Sequence, residues 1–327
     1  MKTADRGEQA LSTRERLQHA VTDRMIAALE QGTVPWQKPW GAMGGWPRKM
    51  AGGGRYEGVN VLLLGMTAAE RGYTSPWWGG IKTINALGGA VMAGQSRKNS
   101  RGATTVVFGG MVTKESDEID PQTGEPQNDT HPVFGARQVF NAEQCEGLPA
   151  RFYAQPSKAE ILAGPQAVID GYLSSGGPRW QEVPGDRAYY RTDGSDTIVM
   201  PLRSQFRSTG GYYSTWFHEL THSTGWLTRL GRTGIVNFDH FGTGQYAAEE
   251  LVAEMGAPLL VAELDIDEPG LFENSVAYNQ SWLGKLQNDR SLVMSAASQA
   301  YAAVELITEP TRQAEARLLE QELEAGA

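Results

Sequence analysis

Cysteine is nearly missing from this 327-residue chain. Cys145 stands alone, which excludes an intramolecular disulfide and fits a reducing compartment. Long apolar runs are missing too: the longest, around Val59 to Met66, is interrupted by Asn60 and is far too short to span a bilayer. The opening residues, with Lys2, Asp5, Arg6 and Glu8, carry no apolar h-region of a secretory signal. A cytoplasmic protein without a membrane partner is the expectation. Internal repeats are absent, and histidine is scarce at five residues, so two of them at ligand spacing carry weight. A hydrophobic content of 40% over this length supplies enough apolar surface for two cores.

Two of the five histidines do fall at ligand spacing, in His218-Glu-Leu-Thr-His222. Residues i and i+4 share a helix face, so His218 and His222 can grip one metal ion while Glu219 reaches the water beside it. The flanks support a helix: Ser208 or Thr209 can cap its start, and Gly225 sits where a left-handed residue would end it. Trp216, Phe217 and Leu220 make the opposite face apolar. A lone histidine on such a helix would read as a core residue. Two around a glutamate read as the core of a zinc hydrolase, with Glu219 as the catalytic base.

A catalytic zinc takes a third protein ligand and keeps a position open for water. About thirty residues further on, Tyr246-Ala-Ala-Glu249-Glu250-Leu-Val-Ala-Glu254 reads as a second helix, with Leu251, Val252, Met255 and Leu259 forming its apolar stripe. Glu250 is the preferred third ligand and Glu254 the acceptor that orients a histidine N–H, with Glu249 competing for the ligand position. His240, in a glycine-containing loop, reads as a surface residue or an outer contact because a loop places a ligand less rigidly. Mn²⁺ or Ni²⁺ would be workable substitutes for Zn²⁺ in this donor set.

Charge is divided unevenly. Residues 1–150 carry sixteen Lys/Arg and fifteen Asp/Glu, the remainder thirteen and twenty-three, for a net −9. Between Pro35 and Gly110 the balance turns basic, with nine cations against Glu57 and Glu70, and the same stretch holds five of the nine tryptophans. Cations interleaved with aromatics suit single-stranded nucleic acid, where phosphates pair with Lys/Arg and unstacked bases lie on rings. Trp36, Lys38, Trp40, Arg55, Tyr56, Asn60, Trp77, Trp78 and Lys82 are the expected contacts, on Pro/Gly-rich loops that leave indoles exposed.

A coarse pass gives an α+β chain of two domains, residues 1–150 and 151–327. Residues 1 to about 10 read as disordered, Thr13 to Gln31 as an amphipathic helix, Val59 to Arg71 as a second and Ile81 to Leu87 as a short third. Thr104 to Val112 and Arg137 to Asn141 read as strands joined by a long polar loop, and Leu148 to Pro156 as a linker. Beyond it come a helix through Ala159 to Tyr172, strands at Arg187 to Arg191 and Thr197 to Leu202, the two metal-site helices and two C-terminal helices, the charged tail after Glu309 being helical.

Taken in order, Leu29-Glu-Gln-Gly-Thr-Val-Pro-Trp-Gln-Lys-Pro-Trp40, Tyr56-Glu-Gly-Val-Asn60, Val139-Phe-Asn-Ala-Glu-Gln-Cys-Glu-Gly-Leu148, Asp196-Thr-Ile-Val-Met-Pro201 and the two metal-site segments resemble the ArdC-type antirestriction proteins of conjugative plasmids and related mobile elements. The resemblance covers about residues 13 to 305 and departs at Gly79-Gly-Ile-Lys82 and in a long insert around Asp117 to Asp129. It implies an N-terminal single-stranded-DNA-binding domain joined to a C-terminal zincin-like metallopeptidase domain. It further implies protection of incoming DNA from host restriction, with an unknown protein substrate that includes the restriction machinery among its candidates.

In the expected hydrolysis, Glu219 takes the water's proton and passes it to the leaving amine. Thr197 to Leu202 is the expected edge strand for an extended peptide. Tyr213, His240, Tyr246 and Tyr278 compete as the donor to the oxyanion. Two rival classes stand beside this reading: a non-catalytic protein that coats DNA around a structural or vestigial metal site, and an acidic DNA mimic that titrates restriction enzymes.

Overall fold

In a computed structural model the protein is described over residues 11–36, 43, 45–95, 102–119, 126–153, 164–237, 244–266, 271 and 276–325. Its first helix, α1 (Thr13–Glu30), starts at a capping box: Ser12 Oγ accepts from Glu15 N at 3.2 Å and the Glu15 carboxylate accepts from Ser12 N at 2.8 Å. Such a cap contributes about 1 kcal/mol. Val21, Met25, Ile26 and Leu29 recur at helical spacing and are buried. They face α8 (Val276–Asn288), far along the chain. The expected disorder of residues 1–10 lies outside the described residues.

The N-terminal part is built on a four-stranded sheet of order β1-β2-β5-β4, from β1 (Arg48–Lys49), β2 (Trp77–Gly79), β4 (Thr104–Ile119) and β5 (Pro126–Asn141). The helices α2 (Val59–Arg71) and α3 (Ile81–Ala86) flank it, and β3 (Ala90–Val91) pairs with β6 (Cys145–Glu146). The long loop expected between the strands is largely strand. Pairing runs on from Val112↔His131 to Glu115↔Asn128 and Ile119↔Pro126. The ladder is made of backbone bonds, so a register fixed by the apolar base at Val106 and Val139 propagates through polar residues.

The C-terminal part begins with α4 (Pro165–Ser174) and a three-stranded sheet of order β7-β9-β8, from β7 (Arg179–Val183), β8 (Tyr189–Arg191) and β9 (Thr197–Pro201). β9 pairs in parallel with β7 and antiparallel with β8. It is therefore the central strand and not the edge expected of Thr197 to Leu202; its apolar run, with Ile198, Val199 and Met200 all buried, is the signature of a strand covered on both sides. The helices α5 (Thr209–Ser223), α6 (Thr233–Val236), α7 (Gly244–Glu263) and α9 (Leu292–Ala325) follow around α8.

Among the described residues two hydrophobic cores form, but not one for each half. The larger runs from Val21 and Leu62 through Trp36 to Phe217 and Leu251. The smaller gathers Met50, Ile84, Phe140, Cys145, Leu148 and Phe152 beneath β2. Leu148 and Phe152 thereby pin the first part of the expected linker, whose last residues from 154 on lie outside the described set. The long α9, which continues through Pro310, packs on α7, α4 and α5 and also on α1 and α2. Among the described residues no helix is long and apolar enough to cross a membrane.

Candidate metal centre

α5 carries the two histidines because its sequence supplies a start and an apolar back. Ser208 Oγ accepts from Gly211 N at 3.0 Å, and Trp216, Phe217 and Leu220 are buried on the face away from the ligands. The helix does not end on a left-handed Gly225: the cap is Thr224, at φ −60°. Gly225 answers a close approach instead, since a Cβ there would lie 2.5 Å from Ile235 Cγ1. α7 packs across α5 with Leu251, Val252 and Met255 inward, which turns Glu249 and Glu250 toward the histidines.

His218 Nε2 and His222 Nε2 stand 3.2 Å apart. The Glu250 carboxylate lies 3.7 Å from the first and 3.6 Å from the second, and the three donor atoms fall within 4.8 Å of one another. Two nitrogens bound to one tetrahedral ion at about 2.0–2.1 Å stand about 3.3 Å apart, so the separation suits an ion between them. Burial lowers His218 to about 3, with His222 adding to the fall. Against the same burial, Glu249 and then Glu250 and Glu219 carry His222 up to about 9.

Glu249, which competed for the ligand position, meets a ligand's second nitrogen: its Oε1 lies 3.1 Å from His222 Nδ1. With Nδ1 engaged there, Nε2 is the nitrogen left facing Glu250 and His218. Adjacent helix positions point about 100° apart, which is why one of the pair can address Nδ1 and the other Nε2.

Arg232 completes this arrangement, and no motif in the sequence marked it. Its Nε and Nη2 donate to the two Glu249 oxygens at 2.9 and 2.6 Å, Nη1 to Thr224 Oγ1 at 2.6 Å, and Nη2 also to Thr221 O at 2.7 Å. It thus satisfies carbonyls at the end of α5 as well as the carboxylate. Burial opposes the charge on Glu249, but Arg232 and His222 outweigh it and hold its carboxyl below the usual range.

Glu219 is buried against β8. Burial pushes it up to about 7, its charge being favoured by His222, opposed by Glu250 and favoured again by the Tyr190 backbone N–H. Tyr190 is itself braced: its hydroxyl donates to Asp196 at 2.7 Å, and Asp196 is paired with Arg229. Of the four expected oxyanion donors, Tyr246 meets Glu250 through its hydroxyl, and burial followed by the charges of Glu250 and Glu219 raises it to about 12. Tyr213 is turned toward Gln166, 3.5 Å away, on the back of α5. His240 and the side chain of Tyr278 lie outside the described residues.

The expected strand contacts differ in their surroundings. Trp36 and Trp78 are fully buried, Trp36 edge-on to Trp282 of α8 and Trp78 edge-on to Tyr73. An element distant in sequence closes over Trp36, which the Pro/Gly context could not reveal. Asn60 is a clamp between α2 and β4, donating to Val107 O and accepting from Val107 N, each at 2.8 Å. The Arg55 charge is paired with Glu263 at 2.7 Å, and Trp77 is half-buried against Phe152. Lys38 and Trp40 lie outside the described residues.

Tyr56, Asn60, Trp78 and Lys82 nevertheless share a feature, a groove of about 1420 Å³ over the sheet. Its other lining includes Lys49, Phe108, Phe134 and Arg137. Phe108 is 38% exposed and covered on one side by the Arg137 guanidinium, 4.5 Å from its ring centre. Sequence reading passed over Phe108 and Arg137 because only the β4–β5 register brings them together.

The comparisons with known proteins agree with both parts. Residues 15–140 match a family profile described as the N-terminal domain of anti-restriction factor ArdC, and residues 170–299 one described as a zincin-like metallopeptidase. A DNA primase TraC from Escherichia coli is 32% identical over 311 residues, which are 90% of this chain and 20% of that protein; the chain thus spans about a fifth of that relative's length. The crystal structure of the antirestriction ArdC protein from the R388 plasmid superimposes with a TM-score of 0.69 in its metal-free form, at 38% identity, covering 91% of this chain and 98% of that one. The Mn(II)-bound form gives 0.68 at 36% identity, covering 90% and 98%. The histidine–glutamate donor set, the sheet with its groove and these matches agree: the chain belongs to the ArdC family of antirestriction proteins, with an ArdC N-terminal domain followed by a zincin-like metallopeptidase domain.

Proposed function

We propose that this is a cytoplasmic single-stranded-DNA-binding protein that shields transferred DNA from host restriction and carries a zinc-dependent peptidase, residues 1–150 and 151–327 being the two functional units. The observation that carries the peptidase reading is the convergence of His218, His222 and Glu250 beside the buried Glu219. Those three residues would hold Zn²⁺, which when bound supplies a Lewis acid for the scissile carbonyl and the attacking water. Glu219, kept in place by the Tyr190 N–H, takes the proton of that water and returns it to the leaving amine. Glu249 and Arg232 hold the His222 ring in its orientation. Tyr246 is the donor best placed for the developing oxyanion. An extended peptide would add to the edge of the sheet at β8, the strand that faces Glu219.

The metal assignment is tested by elemental analysis. The purified protein should hold about one divalent ion per chain, a single set of three protein ligands being found among the described residues, and His222→Ala should hold far less. Equal metal in the two proteins would sink it.

On the sheet, exposed rings beside cations suit bases and phosphates of a single strand. Lys82 is exposed at the groove, so Lys82→Ala should flatten the dependence of log affinity on log salt by about 0.7, one phosphate contact on a single strand. An unchanged slope would place the backbone elsewhere.

A further inference from the structure

We infer that the single-strand site is composite: helix α9, outside the matched N-terminal domain, forms one wall of the groove and offers Tyr301 as a stacking platform. The inference deepens the strand-binding reading proposed above and rests on it. Met294, Ser298 and Tyr301 project at helical spacing into the lining of the cavity that holds Lys82, Phe108 and Arg137. Residues three and four apart share a face, so α9 presents one continuous side to it.

The wall is anchored by contacts with the N-terminal part. Gly58, at φ +56°, comes so near α9 that a Cβ would lie 3.3 Å from Ser298 Oγ. Tyr301 packs at 6.0 Å from Trp46, ring centre to ring centre, tilted by 58°. The Arg55–Glu263 pair, at 2.7 Å, ties the loop before α2 to the end of α7 against which α9 lies. Tyr301 remains half-buried and keeps part of its surface for the cavity.

The chemistry of the lining selects the occupant. Lys49, Lys82 and Arg137 outnumber Glu57, the one acid among the described lining residues, and Phe108 and Tyr301 approach the cavity from the sheet and from the helix. Rings on opposing walls suit successive unstacked bases, which a duplex does not offer. Sequence tolerance follows, because every base has a π-face.

The test uses the full chain and a fluorescein-labelled oligothymidylate, read by anisotropy. Tyr301→Ala should weaken binding at least about fivefold, the lower limit of base–aromatic stacking, and Phe108→Ala similarly. Tyr301→Phe keeps the ring and should bind as the wild type does. A strand carrying 5-iododeoxyuridine should crosslink under ultraviolet light to the tryptic peptide 291–312, which contains Tyr301. Wild-type affinity in Tyr301→Ala together with no adduct on that peptide, while Phe108→Ala weakens binding, overturns the composite wall and leaves strand binding standing. A wild-type chain that fails to bind the strand overturns both.

Discussion

Arg232→Met should remove about 3–5 kcal/mol of folding stability, the cost of leaving one member of a buried ion pair alone, and should weaken metal binding by about 10- to 100-fold. The side chains concerned are 3% and 5% exposed, so water cannot take over the Glu249 charge. The mutation also frees carbonyls at the end of α5 that Arg232 now satisfies. Chemical denaturation of metal-free protein reads the first effect and competition with a chelating dye the second. Adding Glu249→Leu removes the stranded charge, so the double variant should recover much of the stability. It should not recover the metal affinity, because the His222 ring has lost its partner. A single variant within about 1 kcal/mol of wild type, the size of an ordinary substitution, would show that the pair is not integral to the fold.

Glu219→Gln should lower peptide hydrolysis by about 10²–10⁴-fold, the usual contribution of a general base, with metal content and strand affinity unchanged. Glutamine fills the same space beside Tyr190 but cannot accept the proton. Wild-type turnover in this variant would remove Glu219 from the mechanism. The same variant separates the two biological readings: if it protects transferred DNA as well as the wild type does, coating of the strand suffices and proteolysis serves another end.

How much of this could be read from the sequence depended on the distance over which each feature is specified. His218, Glu219 and His222 lie within one helical turn, so their juxtaposition follows from helix geometry alone. Glu250 came within reach because α7 announces its apolar stripe. The division of labour between Glu249 and Glu250 did not, since it depends on how α7 is rotated against α5. Arg232 was invisible for the same reason: its value lies in a loop that folds back under α5, with Arg232 N bonded to Gly225 O at 2.9 Å. The expected exposure of Trp36 and Trp78 failed in the opposite sense. Their basic, Pro/Gly-rich surroundings are real, but Trp36 is buried by α8, some 240 residues away. The edge of the second sheet was misplaced because strand order is a long-range property, although the unbroken apolar run of β9 was a usable sign of a central strand.

Helix α9 also bears on how such a protein is inherited. A recombination event that carried off the N-terminal half without the last helices would leave Leu62 and Trp36 facing water, and one that carried off the C-terminal half would uncover the other side of the same core. The two halves therefore depend on each other to keep that core covered. The alignment with the much longer TraC primase runs across 90% of this chain and so takes in both halves.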